Sequence, residues 1–208
     1  MWLICAATQA ELNTWLDTGT DTRFPACRPV VSGVGIPQTI ATLLPLALSG
    51  DYSLLVNIGI AGAYPQCCLG IGDIVIADGE VYGDLGMELP EEPWFQPLAE
   101  TPFGAAYAQA FPTVREPALS QPGTAHRRGA TVNACAGSDA TGRRRETLFG
   151  AAFETMEGAA VAQVGQIADI PVCEIRAISN IAARRDMRIE NIRIALRKLH
   201  EYLALRAR

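Results

Sequence analysis

The chain of 208 residues reads as an α/β fold, a three-layer sandwich with a central mixed, largely parallel sheet. Three observations predict it. Short runs rich in Val, Ile and Leu, of the kind buried on both faces of a sheet, alternate with helix-length segments. Glycine-containing turns follow several of those runs. Near the C-terminus, Ile189, Ile192, Leu196, Leu199 and Leu203 recur at helical spacing. With no repeat, low-complexity tract or linker, residues 1–208 are expected to form one domain.

Each element has its own signal. Residues 2–7 form an apolar strand, and Thr8 is placed to cap a helix carrying Glu11, Leu12 and Trp15. Residues 29–34 make a strand entering Ser32-Gly33-Val34-Gly35, and a helix over about 38–48 is expected to kink at Pro45. A strand over 52–58 runs into the glycine-spaced turn Gly59-Ile60-Ala61-Gly62. Gly72-Asp73 opens a strand reaching toward Tyr82. Residues 86–102, rich in Pro and Glu with Trp94 and Phe95 among them, read as a loop, either a lid or a subunit contact. Strands at 130–136 and 172–179 and helices at 156–168 and about 189–205 complete the order.

Composition excludes several classes. Hydrophobic residues make up 49% and charged residues 19%, which is globular. A net charge of -5 argues against a nucleic-acid partner and gives no pull toward an anionic membrane. The arginine clusters Arg143 to Arg145 and Arg184-Arg185 read as solvated surface. Six cysteines show no C-x-x-C pair and no His at zinc spacing, so reduced thiols and a cytosolic setting are expected. The N-terminus lacks the basic segment of a signal peptide. The uncharged stretches 29–50 and 52–72 are broken by Pro and Gly, which suits a buried core rather than a membrane span.

Few residues are left to carry chemistry. Ser32-Gly33-Val34-Gly35 lacks the third glycine and the acidic partner of a dinucleotide site. Gly33, Gly35, Gly59 and Gly62 serve either as tight turns or as points of close backbone approach. Met156-Glu157-Gly158 sets a carboxylate at a helix start, and Arg176-Ala177-Ile178-Ser179-Asn180 ends an apolar strand in an amide. Taken singly, Glu157 is a helix cap, Asn180 finishes a turn, and Arg176 and Ser179 form a buried hydrogen-bond network. Taken together, a carboxylate suits a ribose diol and an amide suits a 6-oxopurine edge. There is no acyl-transfer triad or metal set, and His126 and His200 receive no role.

The ordered set Ala7-Thr8-Gln9-Ala10-Glu11, Ser32-Gly33-Val34-Gly35, Asn57-Ile58-Gly59-Ile60-Ala61-Gly62, Gly72-Asp73-Ile74-Val75, Met156-Glu157 and 176–180 resembles the nucleoside phosphorylase and nucleosidase superfamily over nearly the whole chain. Residues 72–86 and the Ser179-Asn180 ending, with Arg185-Asp186 beyond, are most similar to its futalosine-cleaving members.

That resemblance implies hydrolysis of the N-ribosidic bond of futalosine, giving hypoxanthine and dehypoxanthine futalosine in the alternative menaquinone route. It implies Glu11 as the general base on water, Glu157 on the ribose 2′- and 3′-hydroxyls and Met156 packed on the sugar. Asn180 stands where members acting on 6-aminopurines carry aspartate, and its paired donor and acceptor match a 6-oxo, N7-protonated edge. Ala61, Gly62 and Ser179 are further substrate-binding positions. Tyr82 is placed toward the 5′ substituent, or is a half-buried strand residue. Phe153 is the candidate for base stacking, since no aromatic ring occurs over 137–141.

Phosphorylases of the superfamily clamp phosphate with an arginine and a hydroxyl residue around Gly59; Asn57 and Ile60 stand there instead. Water is therefore the expected nucleophile, and no metal or organic cofactor is needed. The expected partners are a small-molecule nucleoside and further copies of the chain, in a dimer or larger homo-oligomer, with no nucleic acid and no membrane. Rival readings are a methylthioadenosine-type nucleosidase, an inosine phosphorylase and a catalytically silent purine-binding module. Arg184, Arg185 and Arg188 are neighbours in sequence that would suit the aryl carboxylate of futalosine.

Overall fold

The computed structural model describes residues 1–19, 24–183 and 188–207. Strand β1 (Trp2–Ala6) leads into helix α1 (Gln9–Leu16), β2 (Cys27–Val31) into α2 (Ile36–Ser49), and β3 (Leu54–Ala63) into β4 (Ile74–Tyr82). A short pair follows, β5 (Gly86–Glu88) and β6 (Phe95–Pro97), then β7 (Ala125–Thr131), α3 (Asp139–Phe149) and β8 (Phe153–Thr155). Helix α4 (Gly158–Ala168), β9 (Val172–Ile181) and α5 (Ile189–Ala207) complete the chain.

The main sheet has the order β2-β1-β3-β8-β7-β4-β9, and β3 also pairs with β9. Neighbours β1–β2, β1–β3, β3–β9, β4–β7 and β7–β8 run parallel, whereas β3–β8 and β4–β9 are antiparallel. The mixed, largely parallel sheet expected from the sequence is therefore present. Because β3 joins both β9 and β8, strands β3, β9, β4, β7 and β8 close on themselves.

Period-two alternation divides the core between two helical layers. Trp2, Ile4, Val56, Ile58, Cys173 and Ile175 face Leu12 and Trp15 of α1 and Leu199 and Leu203 of α5. Their strand neighbours Leu3, Cys5, Leu55 and Val172 face Leu43 and Ala47 of α2 and Val161 and Val164 of α4. On β9, Glu174 and Arg176 alternate with Cys173, Ile175 and Ala177, and both charged residues are fully buried.

Several local expectations need correction. Gly59-Ile60-Ala61-Gly62 is not a turn: β3 continues through it, because β9 pairs with it from Leu55↔Val172 to Ala63↔Ile181 and satisfies its backbone. Residues 86–102 are not a plain loop. They include the antiparallel β5–β6 pair, anchored by buried Phe95 against Phe149. The strand expected at 130–136 lies at Ala125–Thr131, where solvent-facing Arg127 and Arg128 hide the apolar alternation. Helix α3 and strand β8 add to the expected order. The first is arginine-rich and begins where the Ser138 hydroxyl accepts from the Thr141 amide at 3.2 Å; the second spans only three residues. Arg145 is not solvated surface, since it is buried and ion-paired to Glu154 at 3.3 Å. Ile189 projects into solvent at the start of α5 rather than into the core. Pro45 lies inside helix α2, on its exposed side, within the helix expected there.

Candidate active site

The parallel strands β1, β3 and β9 end at one edge, and there a cavity of about 340 Å³ opens. Open α/β sheets place ligands at this carboxyl edge, where strand ends diverge into loops. Thr8, Glu11, Gly62, Met156, Glu157 and Asn180 are among the residues that line it, with Ile192 and Leu196 of α5 forming an apolar wall.

Glu11 is held by its own helix start. Thr8 caps α1, and the Thr8 amide and hydroxyl donate to Glu11 Oε2 at 3.0 and 2.7 Å. This reciprocal cap is the capping-box arrangement, with a glutamate three residues beyond the cap. The other oxygen, Oε1, accepts from the Ile60 amide at 2.9 Å. A carboxylate offers about four lone-pair sites, so one acceptor position stays available on this buried group.

Glu157 sits at the N-cap position of α4, but its side chain makes no capping bond. It accepts instead from the Gly35 amide at 3.0 Å. Gly35 adopts φ +87, a left-handed conformation that costs glycine little. Burial pushes the Glu157 carboxyl above its ordinary range, while Arg176 and the Gly35 amide oppose that rise.

Asn180 owes its position to an irregularity in the β3–β9 ladder. Ala61 pairs with Ile178 but Gly62 pairs with Asn180, so Ser179 is the extra residue of a bulge. Such a bulge re-aims the side chain that follows it. The Ser179 hydroxyl lies 3.0 Å from Asn180 Oδ1 and 3.2 Å from the Ala61 carbonyl. Gly62 leaves room for the amide, because a Cβ there would sit 3.0 Å from Asn180 Nδ2.

Beneath these groups lies a layer of buried charge that sequence reasoning underrated. Arg176 Nε donates to Glu174 Oε1 at 2.7 Å, and both side chains are fully buried. Among the described residues, Arg176 NH1 and NH2 have no hydrogen-bond partner. A Cβ on Gly59 would collide with both Arg176 NH1 and Glu11 Oε1, so these two groups converge over Gly59. Although residues 57–60 carry no cation of their own, the fold supplies one from β9. Burial works against the Arg176 charge, but Glu174, Glu157 and Glu11 together raise its pKa further. Glu80 of β4 is also fully buried and is raised well above its ordinary range, by burial first and by Glu174 second. The available signal was charge inside apolar strands: Val-Cys-Glu-Ile-Arg over 172–176 and Gly-Glu-Val over 79–81.

Glu154 lines the cavity beside Met156; it accepts from the Ala136 amide at 2.8 Å and from Arg145 at 3.3 Å. Burial raises its pKa against those two contacts. Ala61, Gly62, Met156, Glu157, Ser179, Asn180 and Glu11 thus share one cavity. Phe153 does not reach it. Alternation on β8 turns Glu154 to the cavity and Phe153 into the core with Ala63, Val75 and Ile178. Tyr82 lines a separate cavity of about 220 Å³ with Tyr107 and Phe111, and its hydroxyl donates to Gln163 Oε1 at 2.6 Å. Arg184, Arg185 and Asp186 lie outside the described residues, and Arg188 is exposed before α5. Among the described residues no group of three or more His, Cys, Asp or Glu is arranged to hold a metal ion.

The raised carboxyls make a stability prediction. Glu80, Glu154 and Glu157 keep their protons to higher pH in the folded chain than at the ordinary value of 4.5. Above that value the native state binds more protons than the unfolded one, so their contribution to stability falls as pH rises toward the folded values. Tm is expected to increase as pH is lowered from about 8 to about 5, with a smaller increase in Glu157→Gln. Thermal melts across this range check it, and an equal slope in the variant would contradict the assignment.

The chain matches the phosphorylase superfamily over residues 26–205. It is 37% identical to a futalosine hydrolase of Acidothermus cellulolyticus over 185 residues, covering 86% of this chain and 74% of that one. It is 35% identical to a futalosine hydrolase of Streptomyces coelicolor over 167 residues, or 76% and 68% of the two chains. Among solved structures, the fold superposes on the Streptococcus pneumoniae MTA/SAH nucleosidase bound to 8-aminoadenine with a TM-score of 0.77 at 22% identity, covering 100% and 99% of the chains. The native Helicobacter pylori futalosine hydrolase superposes with a TM-score of 0.72 at 19% identity, covering 97% and 94%.

Proposed function

The chain belongs to the phosphorylase superfamily, and from that premise we propose that it hydrolyses the N-ribosidic bond of futalosine to hypoxanthine and dehypoxanthine futalosine. The observation that carries this reading is the meeting of Glu11, Glu157 and Asn180 around one cavity. Cleavage builds positive charge on the ribose and negative charge on the departing base. Glu157 accepts from the ribose diol, and this charge-assisted contact, contributing about 1.5–3 kcal/mol, strengthens as the sugar becomes cationic. Glu11 removes a proton from water as that water adds to the anomeric carbon. Arg176 NH1, beside Glu11 over Gly59, is a donor that orients the water's oxygen. The departing 6-oxopurine takes a proton at N7 from solvent, and Asn180 accepts from that N7–H while donating to O6.

Water is favoured over phosphate by the local field. Arg176 is engaged by Glu174, and Glu11 and Glu157 stand near it, so a phosphate dianion meets more negative than positive charge. The same reading places one domain over residues 1–208, acting as a dimer or larger homo-oligomer in the cytosol. It needs no metal or organic cofactor and takes a small nucleoside rather than nucleic acid or a membrane as partner. Among the described residues, no helix is long and apolar enough to cross a membrane. Incubation with futalosine, inosine and methylthioadenosine, with and without phosphate, tests the proposal. Hypoxanthine is expected from futalosine alone, at a rate indifferent to phosphate. Phosphate-dependent release of ribose 1-phosphate from inosine, or adenine from methylthioadenosine, would replace this reading with the corresponding rival.

A further inference from the structure

Glu80 and Glu174 come from strands 94 positions apart in numbering, yet they meet beneath the cavity at the head of α4. Their meeting point is Gly158, where a Cβ would sit 2.7 Å from Glu80 Oε1 and 2.8 Å from Glu174 Oε1. Both carboxyls are fully buried, and each keeps one oxygen without a partner among the described residues, Glu80 Oε1 and Glu174 Oε2. Two ionised carboxylates in such a place repel and leave those oxygens unsatisfied.

The hydrogen bonds around Thr131 locate the remedy. Thr131 Oγ1 accepts from the Ala159 amide at 2.6 Å and lies 2.7 Å from Glu80 Oε2 and 3.3 Å from Thr155 Oγ1; the carboxylate oxygen, nearer and the stronger acceptor, takes the Thr131 proton. Oε2 is thereby an acceptor. A proton on Glu80 belongs on Oε1, the oxygen that faces Glu174 over Gly158. Glu174 has its charge partner already, in Arg176 Nε at 2.7 Å.

We propose that Glu80 and Glu174 share one proton and act together as positioning residues for Arg176. Neutral Glu80 donates to Glu174, charged Glu174 holds Nε, and the guanidinium keeps NH1 beside Glu11 over Gly59. The inference rests on the hydrolytic reading above, because Arg176 acts there through the water that Glu11 activates. The groups facing Glu80 are Thr131 from β7, Glu174 and Arg176 from β9 and Glu157 at the head of α4, with Tyr64 and Tyr82 nearby. Of these, only Arg176 is a cation. Ionising Glu80 therefore sets a second anion against Glu174 and draws the guanidinium away from Glu11, lowering kcat with little change in KM.

Glu80→Gln tests this without emptying the site, since its amide donates to Glu174 and its carbonyl accepts from Thr131. Its kcat at neutral pH is expected within about threefold of wild type, whereas Glu80→Leu loses about tenfold or more in kcat at nearly constant KM. Wild type is expected to lose kcat toward alkaline pH, and that fall should be missing from Glu80→Gln. A wild-type-minus-Glu80→Gln infrared difference spectrum at neutral pH, recorded without substrate, should contain one protonated-carboxyl band. Absence of that band overturns the proposal, as does a Gln variant as impaired as the Leu variant or one with the wild-type pH profile. If futalosine proves not to be the substrate, the infrared result still stands or falls alone. Should Glu80→Leu fail to fold, Glu80→Gln and the spectrum carry the test.

Discussion

Glu11→Gln is expected to lower kcat by about 10²–10⁴-fold, the range for loss of a positioned general base, while KM stays within about threefold. The amide keeps the shape of the side chain but has no basic oxygen to take the proton from water. Part of the local structure is at stake as well. Glu11 Oε2 accepts from the Thr8 amide and hydroxyl, and Oε1 accepts from the Ile60 amide. Glutamine has one carbonyl for these contacts, so one donor meets an NH₂ group and stability drops by about 1–2 kcal/mol. Steady-state kinetics and a thermal melt of the same variant separate the two effects. Turnover near the wild-type rate in a folded Glu11→Gln protein would remove Glu11 from the chemistry.

Asn180→Asp should reverse the preference for the purine base. In the parent the amide offers an NH₂ to O6 and an oxygen to N7–H; a carboxylate sets acceptor against acceptor at O6. Leaving such buried polar groups mismatched costs about 1–3 kcal/mol, and sites built on a hydrogen bond discriminate sharply against a ligand that lacks it. The ratio of kcat/KM for futalosine over its 6-amino analogue is therefore expected to fall by about 10²-fold. Ser179, whose hydroxyl lies 3.0 Å from Asn180 Oδ1, donates equally well to a carboxylate, so the variant should fold normally. An unchanged ratio would mean that base selection lies elsewhere in the cavity. Competition assays with both nucleosides measure this ratio directly.

Particular elements show why some of the architecture was legible in the sequence. Thr8 and Glu11 form a contiguous capping pair, and the helix starts where that pair says it should. The apolar run over 2–6 matches a strand buried on both faces. Segments governed by distant partners were harder to read. The glycines at 59 and 62 look like turn formers. In the fold they are strand residues whose missing Cβ atoms make room for Arg176, Glu11 and Asn180. Phe153 seemed free to stack on a base, yet one step of strand alternation turns it into the core and turns Glu154 outward. Arg145 looked like solvated charge within an arginine triplet, and only the approach of β8 gives it Glu154 as a partner.

The sequence by itself determined the layered α/β class, the start of the first helix, the apolar faces of the buried strands and the candidate carboxylates and amide. Those properties depend on neighbouring residues, through side-chain periods of two and 3.6 and through capping bonds. The tertiary structure alone decided that Glu80 and Glu174 meet at Gly158, that Arg176 and Glu11 converge over Gly59, and that a bulge at Ser179 aims Asn180 into the cavity. Sheet order and strand register set those distances, and register is fixed by pairing between strands far apart in the chain, of which a local pattern keeps no record.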